Sequence, residues 1–464
     1  MGTEGVTGSP DAIVVGGGFA GLAAATALVE AGARVVLLEG RPHLGGRARS
    51  WVDPETGTVI DNGQHLFTAC YRETLRFLDR IGTGQRLEIQ PRLSLPFVDP
   101  GGRVGTFRLP TLPSSWSLVT GLLRYPGLGF ADRLRLLRVA REVKRRSPRP
   151  PVTSGVGPPS PDASLDQRSV AEWLASLGQS EEARRRLWYP LTIAALNEDP
   201  ETASAAMFLP VLRESFQGGA GGSGLGLAGV GLSELYAEPG AHYIKSHGSE
   251  VRLRAQVRRL VIESGRCAWV LLEDGGRVAA GAVVSAVPPA DLLEMLSADT
   301  AADPFFAGAA RLETSPIVSI YLWFGSPVTD LPFAGLLGGT WQWIFNRHTF
   351  AGKISGVHPV TLVCSAARSL VEMSRERLVR LALDDLHRFF PSARRATLRH
   401  ALVIKEKRAT ISPARGALSL RPPFLTPYKG LHLAGDWTAT GLPATIEGAV
   451  LSGHACARQV ALER

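Results

Sequence analysis

The chain has 464 residues, of which 45% are hydrophobic and 20% are charged, and its formal net charge is +9. This length exceeds what one core usually serves, so we expect two intertwined globular domains without long disordered regions. The positive charge is compatible with nucleic acid or an anionic membrane. Nucleic acid is not the expected partner, because the arginines are spread along the chain rather than gathered with stacking aromatic residues.

The cysteines and the apolar runs indicate neither export nor a membrane span. Four cysteines lie far apart, with no C-x-x-C pair and no clustered histidines, so we expect no disulfide framework and no metal site. The first ten residues lack the pattern of a signal peptide. No uninterrupted stretch of about 18 apolar residues occurs that would cross a bilayer. A cytoplasmic protein is therefore expected.

The first fifty residues carry the clearest pattern of elements. Ile13 to Val15 predicts a short buried strand, a glycine turn follows at once, and Leu22 to Ala31 predicts a helix. Arg34 to Leu38 then predicts a second strand, which ends on Glu39. This order of strand, tight turn, helix, strand and acid is typical of a dinucleotide-binding unit.

Each residue type in the turn has a physical task. Gly16 permits the sharp turn, Gly18 lets a pyrophosphate approach the backbone, and Gly21 lets the helix pack close to the strand. The amino end of the helix supplies free N–H groups and a positive dipole. Glu39 is expected to accept hydrogen bonds from ribose hydroxyls.

Two further motifs indicate which nucleotide cofactor is expected. Gly45-Gly46-Arg47 follows Glu39, and Asp61-Asn62-Gly63-Gln64-His65 comes after Ile60. With the glycine turn, these motifs resemble the FAD-dependent amine oxidase and polyene desaturase superfamily. Within it, the stretch from Asp61 to Phe67 and the tail from Leu433 to Gly453 are similar to the squalene-associated hydroxysqualene dehydroxylases.

The resemblance implies FAD as the cofactor and assigns roles at both ends of the chain. It implies that Asp436 contacts the pyrophosphate and ribityl region, that the helix start at Ile446 and Glu447 faces the flavin, and that Val257 offers its backbone to the adenine end. Together, the expected cofactor-binding residues are Gly16, Gly18, Gly21, Glu39, Gly46, Arg47, Gly63, Gln64, Val257, Gly435, Asp436, Ile446 and Glu447.

The expected fold class is α/β, with a Rossmann-like FAD-binding domain, an interleaved antiparallel-sheet substrate domain and a helical cap. Residues 11–92, 232–290 and 425–464 are assigned to the FAD-binding domain, 93–231 to the cap and 291–424 to the substrate domain. Helices are predicted over 71–81, 131–146, 169–176, 181–196, 204–216 and 375–390, and from 231 onward. Strands are predicted within 93–107, 250–263, 283–287, 317–324, 333–350 and 402–408, a proline-rich linker over 147–161 and a glycine-rich loop over 217–231.

The segment from Leu112 to Arg146 has the composition of a surface-lying membrane element. An apolar, aromatic stretch containing Trp116, Leu122, Leu123, Tyr125 and Phe130 precedes a helix with Leu134, Leu137 and Val143 on one side. Arg133, Arg138, Arg141, Lys144, Arg145 and Arg146 fall on or beside the other side. Such a helix favours peripheral contact with the inner face of the cell membrane, and a capping helix with a solvated basic face explains it as well.

The resemblance also implies an activity, in which hydroxysqualene, a C30 polyene with one allylic hydroxyl, becomes squalene. Reduced FAD, recharged by an unknown electron donor, would deliver a hydride to the carbon that loses the hydroxyl. That reaction requires a dry, aromatic-lined cavity with one proton donor. His65 is the expected donor because imidazole holds and releases protons near neutral pH. Asp61 is expected to tie its loop to the fold.

Three other functions are compatible with the same fold. A carotenoid-type desaturase would act in the oxidative direction on phytoene. An amine oxidase usually carries a lysine near flavin N5 on the strand that corresponds to Thr314 to Phe324, where this chain has none. A non-catalytic prenyl-lipid carrier would bind no flavin, and the motifs at Gly46, Arg47 and Asp436 argue against it.

Overall fold

The computed structural model describes residues 9–110, 114–146, 163–217, 223–350 and 356–464. Its strands are β1 (Ala12–Val15), β2 (Val35–Glu39), β3 (Ser50–Val52), β4 (Val59–Asp61), β5 (Phe67–Thr68), β6 (Leu87–Ile89), β7 (Ser94–Val98), β8 (Val104–Arg108), β9 (Leu225–Ala228), β10 (Glu250–Leu253), β11 (Val257–Glu263), β12 (Arg266–Leu272), β13 (Arg277–Ala279), β14 (Ala282–Ser285), β15 (Thr314–Phe324), β16 (Phe333–Leu336), β17 (Trp343–Asn346), β18 (His358–Cys364), β19 (Leu398–Ile411) and β20 (Leu431–Leu433).

The α-helices are α1 (Phe19–Glu30), α2 (Arg72–Arg80), α3 (Ser114–Arg124), α4 (Phe130–Arg146), α5 (Ala163–Asp166), α6 (Val170–Ser176), α7 (Glu181–Ala183), α8 (Tyr189–Leu196), α9 (Ala205–Gln217), α10 (Glu238–Ser246), α11 (Pro289–Met295), α12 (Ala298–Ala301), α13 (Pro304–Ala310), α14 (Arg375–Phe389), α15 (Ala417–Leu420) and α16 (Ile446–Glu463). Single π-helical turns precede α8 (Arg184–Trp188) and α10 (Ser233–Ala237).

A parallel five-stranded sheet, in the order β10-β2-β1-β14-β20, forms the nucleotide-binding unit. Its strands β1, β2 and β14 are buried along their whole length, as expected for a parallel sheet covered on both faces. α1 and α16 share one core cluster on one face through Leu22 and Val450. On the other face, β11 to β13 and α11 pack through Leu260 and Leu292. The strand, turn, helix and strand predicted from the first fifty residues are confirmed.

The second large sheet has seven strands in the order β19-β15-β18-β17-β16-β7-β8. All neighbouring pairs are antiparallel except β7 with β16. α14 packs on one face, where Leu378 and Leu386 contact residues of β15 and β18. On the other face, Trp343 and Phe345 share a core cluster with the helices α3 to α9. The expected class, with a parallel nucleotide unit, a mainly antiparallel sheet and a helical cap, is confirmed.

Two segments lie in other units than the expected domain limits imply. β7 and β8, within the 93–231 range assigned to the cap, complete the seven-stranded sheet. The helices from Pro289 to Ala310, at the start of the range assigned to the substrate domain, pack against the nucleotide-binding unit, because Leu292 and Phe306 share a cluster with Ile13 of β1. Local patterns identify these elements but not the sheet that each one joins.

The predicted glycine-rich loop over 217–231 is wrong in part. Residues 225–228 form β9, which pairs with both β5 and β6 in a small antiparallel sheet. Small residues are required there because a Cβ on Gly224 would lie 1.9 Å from the carbonyl oxygen of Gln90. The glycines therefore mark a close approach of two backbones. The predicted linker over 147–161 lies outside the described residues.

The predicted apolar side of α4 is wrong for Leu134, whereas Val143 is buried and Leu137 packs against the core as expected. Its buried residues are Leu136, Val139 and Val143, whereas Leu134 is 46% exposed. Leu122 on α3 and Tyr125 just after this helix, both expected at a membrane, are buried in the core, and the side chain of Trp116 lies outside the described residues. In the described part of the chain, no helix combines the length and apolarity needed to span a bilayer.

Gly21 supports a first prediction, on stability. A Cβ at this position would lie 1.9 Å from the backbone oxygen of Gly16, in the turn itself. We expect Gly21→Ala to lower the free energy of unfolding by about 1–3 kcal/mol, since neither backbone segment has room to move. Urea denaturation measures this change. Gly129→Ala is the matched control, because nothing lies within 4 Å of its added methyl group, and equal stability of the two variants would contradict the prediction.

Candidate active site

One cavity of about 1520 Å³ runs from the carboxyl ends of β1 and β2 to the space between the seven-stranded sheet and the cap. Pockets for single small ligands measure roughly 300–1,000 Å³. The cavity therefore has room for a dinucleotide and a second, apolar molecule. Of the predicted cofactor residues, all except Gly21 line it, and Gly21 acts through packing.

The glycine turn leaves the backbone open to a ligand. Gly16 has a φ of +103°, and a Cβ there would lie 2.9 Å from the oxygen of Ala286. Gly18 precedes α1 and provides no side-chain cap for it. Gly46 faces Gly18 so closely that a Cβ on Gly46 would lie 3.4 Å from the Cα of Gly18. The uncapped N–H groups and the bare glycine backbones suit a pyrophosphate.

Glu39 and Val257 mark the end of the cavity that suits adenosine. One carboxylate oxygen of Glu39 accepts a hydrogen bond from the backbone N–H of Gly17 at 2.8 Å. The other accepts one from the backbone N–H of Arg41 at 2.9 Å. These bonds hold the carboxylate at the mouth of the turn, where ribose hydroxyls would reach it. Val257 begins β11 and lines the same end, because the neighbouring Ala255 is tied to the backbone oxygen of Glu39 at 2.9 Å.

An ion pair joins the two ends of the chain. Arg47 Nη2 lies 2.6 Å from Asp436 Oδ1, and Arg47 Nη1 donates to the oxygen of Ala409 in β19 at 3.2 Å. Burial lowers the pKa of Arg47, but the carboxylates of Asp436, Asp291 and Glu406 together more than offset this, so the pKa is raised overall. Two motifs separated by almost the entire sequence thus form one charged wall.

Two residues that the sequence analysis did not assign to the site fix the backbone around Arg47. Tyr236 is fully buried, and its hydroxyl lies 2.7 Å from the oxygen of Gly45 and 2.8 Å from that of Ala48. Asn62 Nδ2 donates to the oxygen of Arg47 at 2.7 Å. Asn62 belongs to the quoted motif and offered a signal, whereas Tyr236 lies in an unremarkable helix-opening segment.

The tail closes the cavity. Gly435 N donates to Ser452 Oγ at 2.8 Å, and a Cβ on Gly435 would lie 2.5 Å from the Trp437 ring. α16 begins at Ile446, with Thr445 capping its first turn at 3.2 Å. The residues that start this helix line the cavity.

The side chain of Glu447 also joins two helices. Its carboxylate accepts from the backbone N–H groups of Glu73 and Thr74, both at 2.9 Å, and from Thr74 Oγ1 at 2.7 Å. The acid therefore caps the amino end of α2 and ties this helix to α16. A sequence pattern assigned Glu447 by its position on α16, which carries no information about α2.

The Asp61 motif forms a loop between the two large sheets. Asp61 Oδ1 accepts from Leu232 N at 3.0 Å, and Tyr321 donates its hydroxyl to the Asp61 backbone oxygen at 2.9 Å. Gln64 Oε1 accepts from Arg347 Nη1 at 3.0 Å. These bonds agree with the expected structural task of Asp61, and they leave Gly63 and Gln64 lining the cavity.

His65 lies on the cavity wall with a defined tautomer. Its Nδ1 is 2.7 Å from the oxygen of Gly63, and because a carbonyl only accepts, Nδ1 carries the hydrogen. Nε2 is the atom left to exchange a proton. Burial lowers the pKa of His65 below its ordinary value of 6.5, although the nearby Asp61 opposes this shift.

The far part of the cavity is apolar. Its walls come from strands of the seven-stranded sheet and from cap helices, and they include Leu93, Phe107, Leu191, Phe208, Trp343 and Phe345. Most of these side chains belong to the core cluster between cap and sheet. The expected chamber is thus present, and its wall contains aliphatic as well as aromatic residues.

Relatives of known name match the chain over almost its whole length. A hydroxysqualene dehydroxylase of Sinorhizobium fredii is 31% identical, with 96% of each chain covered, and one of Zymomonas mobilis is 29% identical, covering 96% of this chain and 97% of its own. A 15-cis-phytoene desaturase of Glycine max is 25% identical and covers 97% of this chain and 79% of its own.

Solved structures share the fold. An engineered putrescine oxidase superposes with a TM-score of 0.75 at 18% identity over 98% of this chain and 99% of its own, and cyclohexylamine oxidase of Brevibacterium oxydans with 0.69 at 22% over 98% and 100%. The family model of flavin containing amine oxidoreductases matches residues 19–461. The glycine turn, the Glu39 carboxylate and the Arg47–Asp436 wall fit FAD. The chain therefore belongs to the flavin containing amine oxidoreductases and is an FAD-dependent oxidoreductase.

Proposed function

We propose that this enzyme removes the allylic hydroxyl of hydroxysqualene reductively and releases squalene. The observation that carries the proposal is the continuity of one cavity, which joins a wall suited to FAD with an apolar chamber. The relatives named hydroxysqualene dehydroxylase support it, since they match nearly the full chain, including both the cofactor motifs and the cap.

The chemistry needs three contributions. Bound FAD in its reduced form supplies a hydride. The hydroxyl leaves as water after it accepts a proton, so hydroxysqualene, one proton and one hydride give squalene and water. The chain must hold the polyene, deliver the proton and keep nucleophiles away from the allylic cation that the departure of water creates.

The apolar part of the cavity suits the cation, although polar side chains such as those of Glu214 and Ser365 also line the cavity. The side chains of Leu93, Leu191 and Phe345 offer no nucleophilic atom to a carbocation. Burial of the polyene against these walls also excludes water, which would otherwise return the hydroxyl. An apolar wall thus supports both binding and the direction of the reaction.

The direct test is anaerobic incubation of the photoreduced holoenzyme with hydroxysqualene. We expect squalene to form in proportion to reoxidised flavin, as measured by chromatography and by absorbance. Phytoene is offered to the oxidised enzyme in parallel. Desaturated phytoene without squalene would favour a carotenoid-type desaturase, and a purified protein without flavin colour would favour a prenyl-lipid carrier.

We further propose His65 as the proton donor. Its lowered pKa means that the imidazole is mostly neutral at pH 7 and carries the second proton only below pH 6.5. The rate of hydride transfer should therefore rise as the pH falls from 7 to below 6.5, where a growing fraction of the imidazole carries the second proton. Stopped-flow measurement of flavin reoxidation between pH 5 and 8 gives the profile.

Two variants test this assignment. His65→Ala should lose at least about a hundredfold in rate while FAD stays bound, since general acids typically contribute that much. His65→Asn retains a side-chain donor toward Gly63 but no titrating group, so its residual rate should be independent of pH. An unchanged rate in His65→Ala, or a normal pH profile in His65→Asn, would remove His65 from the mechanism.

We also propose that the enzyme contacts a membrane peripherally and takes its substrate from it. Phe130 is 74% exposed and lies one turn from the exposed Leu134 at the start of α4. Arg138 and Arg141 are exposed farther along the same helix, and Arg145 at its end lines the cavity. An exposed apolar end followed by cations suits the inner face of a membrane and would bring the lipid surface to the cavity.

Vesicle sedimentation tests this surface. Phe130→Ser with Leu134→Ser should reduce binding to vesicles of anionic phospholipid, and Arg138→Gln with Arg141→Gln should do so by about tenfold or more, since each basic residue contributes about 1 kcal/mol. Leu462→Ser is the matched control, because Leu462 is equally apolar and 83% exposed on α16. Binding that none of the α4 variants changes would assign the helix to capping alone.

A further inference from the structure

Arg421 is a buried arginine at the cofactor end that no sequence motif identified. It follows α15, is 5% exposed and lines the cavity. Its guanidinium donates to the backbone oxygens of Asp436, of Trp437 at 3.4 Å and of Leu442 at 2.5 Å, and to Thr440 Oγ1 at 3.3 Å. One side chain therefore shapes the loop 436–442, which forms part of the cavity wall.

The charge of Arg421 has no acidic partner of its own. Within the described ranges, no carboxylate lies at ion-pair distance from its guanidinium. The carboxylate that acts on it most, that of Asp436, is already paired with Arg47. Two guanidinium groups thus share one acid in a buried wall. Burial lowers the pKa of Arg421 to about 10, so the group stays charged at neutral pH.

A buried cation without a counter-charge is costly, and backbone carbonyls offset only part of that cost. A buried guanidinium without a counter-charge is expected where a bound ligand supplies the negative charge. Reduction of a flavin by two electrons with uptake of one proton leaves one negative charge on its ring system. The pyrophosphate of FAD is negatively charged in both redox forms, and the reduced ring adds one further negative charge. The excess positive charge of the wall therefore complements reduced FAD better than oxidised FAD.

We propose that Arg421 is a positioning residue that shapes the loop 436–442 and makes the protein bind reduced FAD more tightly than oxidised FAD. The proposal concerns the cofactor and does not depend on hydroxysqualene as the substrate. Tighter binding of the reduced form raises the reduction potential of the bound flavin, which favours reduction of the flavin by the electron donor and makes the reduced flavin a milder hydride donor.

The test measures the midpoint potential of bound FAD by equilibration with a reference dye, together with the Kd of oxidised FAD. Arg421→Met and Arg421→Gln should each lose about tenfold in the preference for reduced FAD, which for a two-electron couple lowers the potential by about 30 mV. Arg421→Lys keeps the charge but loses the planar fork, so it should retain the potential and bind oxidised FAD more weakly.

Arg133→Met is the matched control. Arg133 also donates to backbone carbonyls, those of Leu128 at 2.8 Å and Leu123 at 3.4 Å, but it lies in the cap. This variant should lose stability without any change in potential. A wild-type potential in either neutral variant overturns the proposal. Should neither variant fold, the wild-type protein decides, because bound FAD with a potential at or below that of free FAD overturns it as well.

Discussion

The pairing of Arg47 with Asp436 is the contact on which the cofactor site depends. It joins residues 389 positions apart, and the same guanidinium reaches Ala409 in the seven-stranded sheet. Asp436 is buried, so without Arg47 its carboxylate would lack a compensating charge, whereas the side chain of Arg47 keeps 34% of its surface exposed. The motif after the glycine turn, the tail and edge strand β19 of the seven-stranded sheet are thus joined by the side chain of Arg47. These contacts define the shape of the cavity at its cofactor end.

Elements determined by local patterns were predictable from the sequence. The turn at Gly16 and the acid at Glu39 each depend on residues a few positions apart, and each is where the pattern placed it. Strands with long apolar runs, such as β15, are also predictable from the sequence, because burial on both faces leaves few polar positions. The chamber followed from the family resemblance rather than from any single segment.

Features that depend on distant partners were not predictable. α4 turns Leu136 and not Leu134 inward because α3 and α9 pack on that side, and a basic helix with leucines at several spacings fits either orientation. Glu447 caps a helix that begins more than 370 residues earlier, and β9 becomes a strand only because β5 and β6 flank it. Arg421 lies between α15 and a double proline, where no periodicity marks it. In each case the missing information is a tertiary neighbour.

The strand order of the parallel sheet has a consequence for biosynthesis. β1 lies at the centre, flanked by β2 from the same early segment and by β14, while β20 and the adjoining α16 come from the last 34 residues of the chain. During translation, the face of α1 that α16 covers stays exposed until the ribosome has synthesised α16. The cofactor site is therefore complete only after Asp436 and α16 have been synthesised, and a nascent chain stalled before residue 436 would expose apolar surface of the kind that chaperones bind.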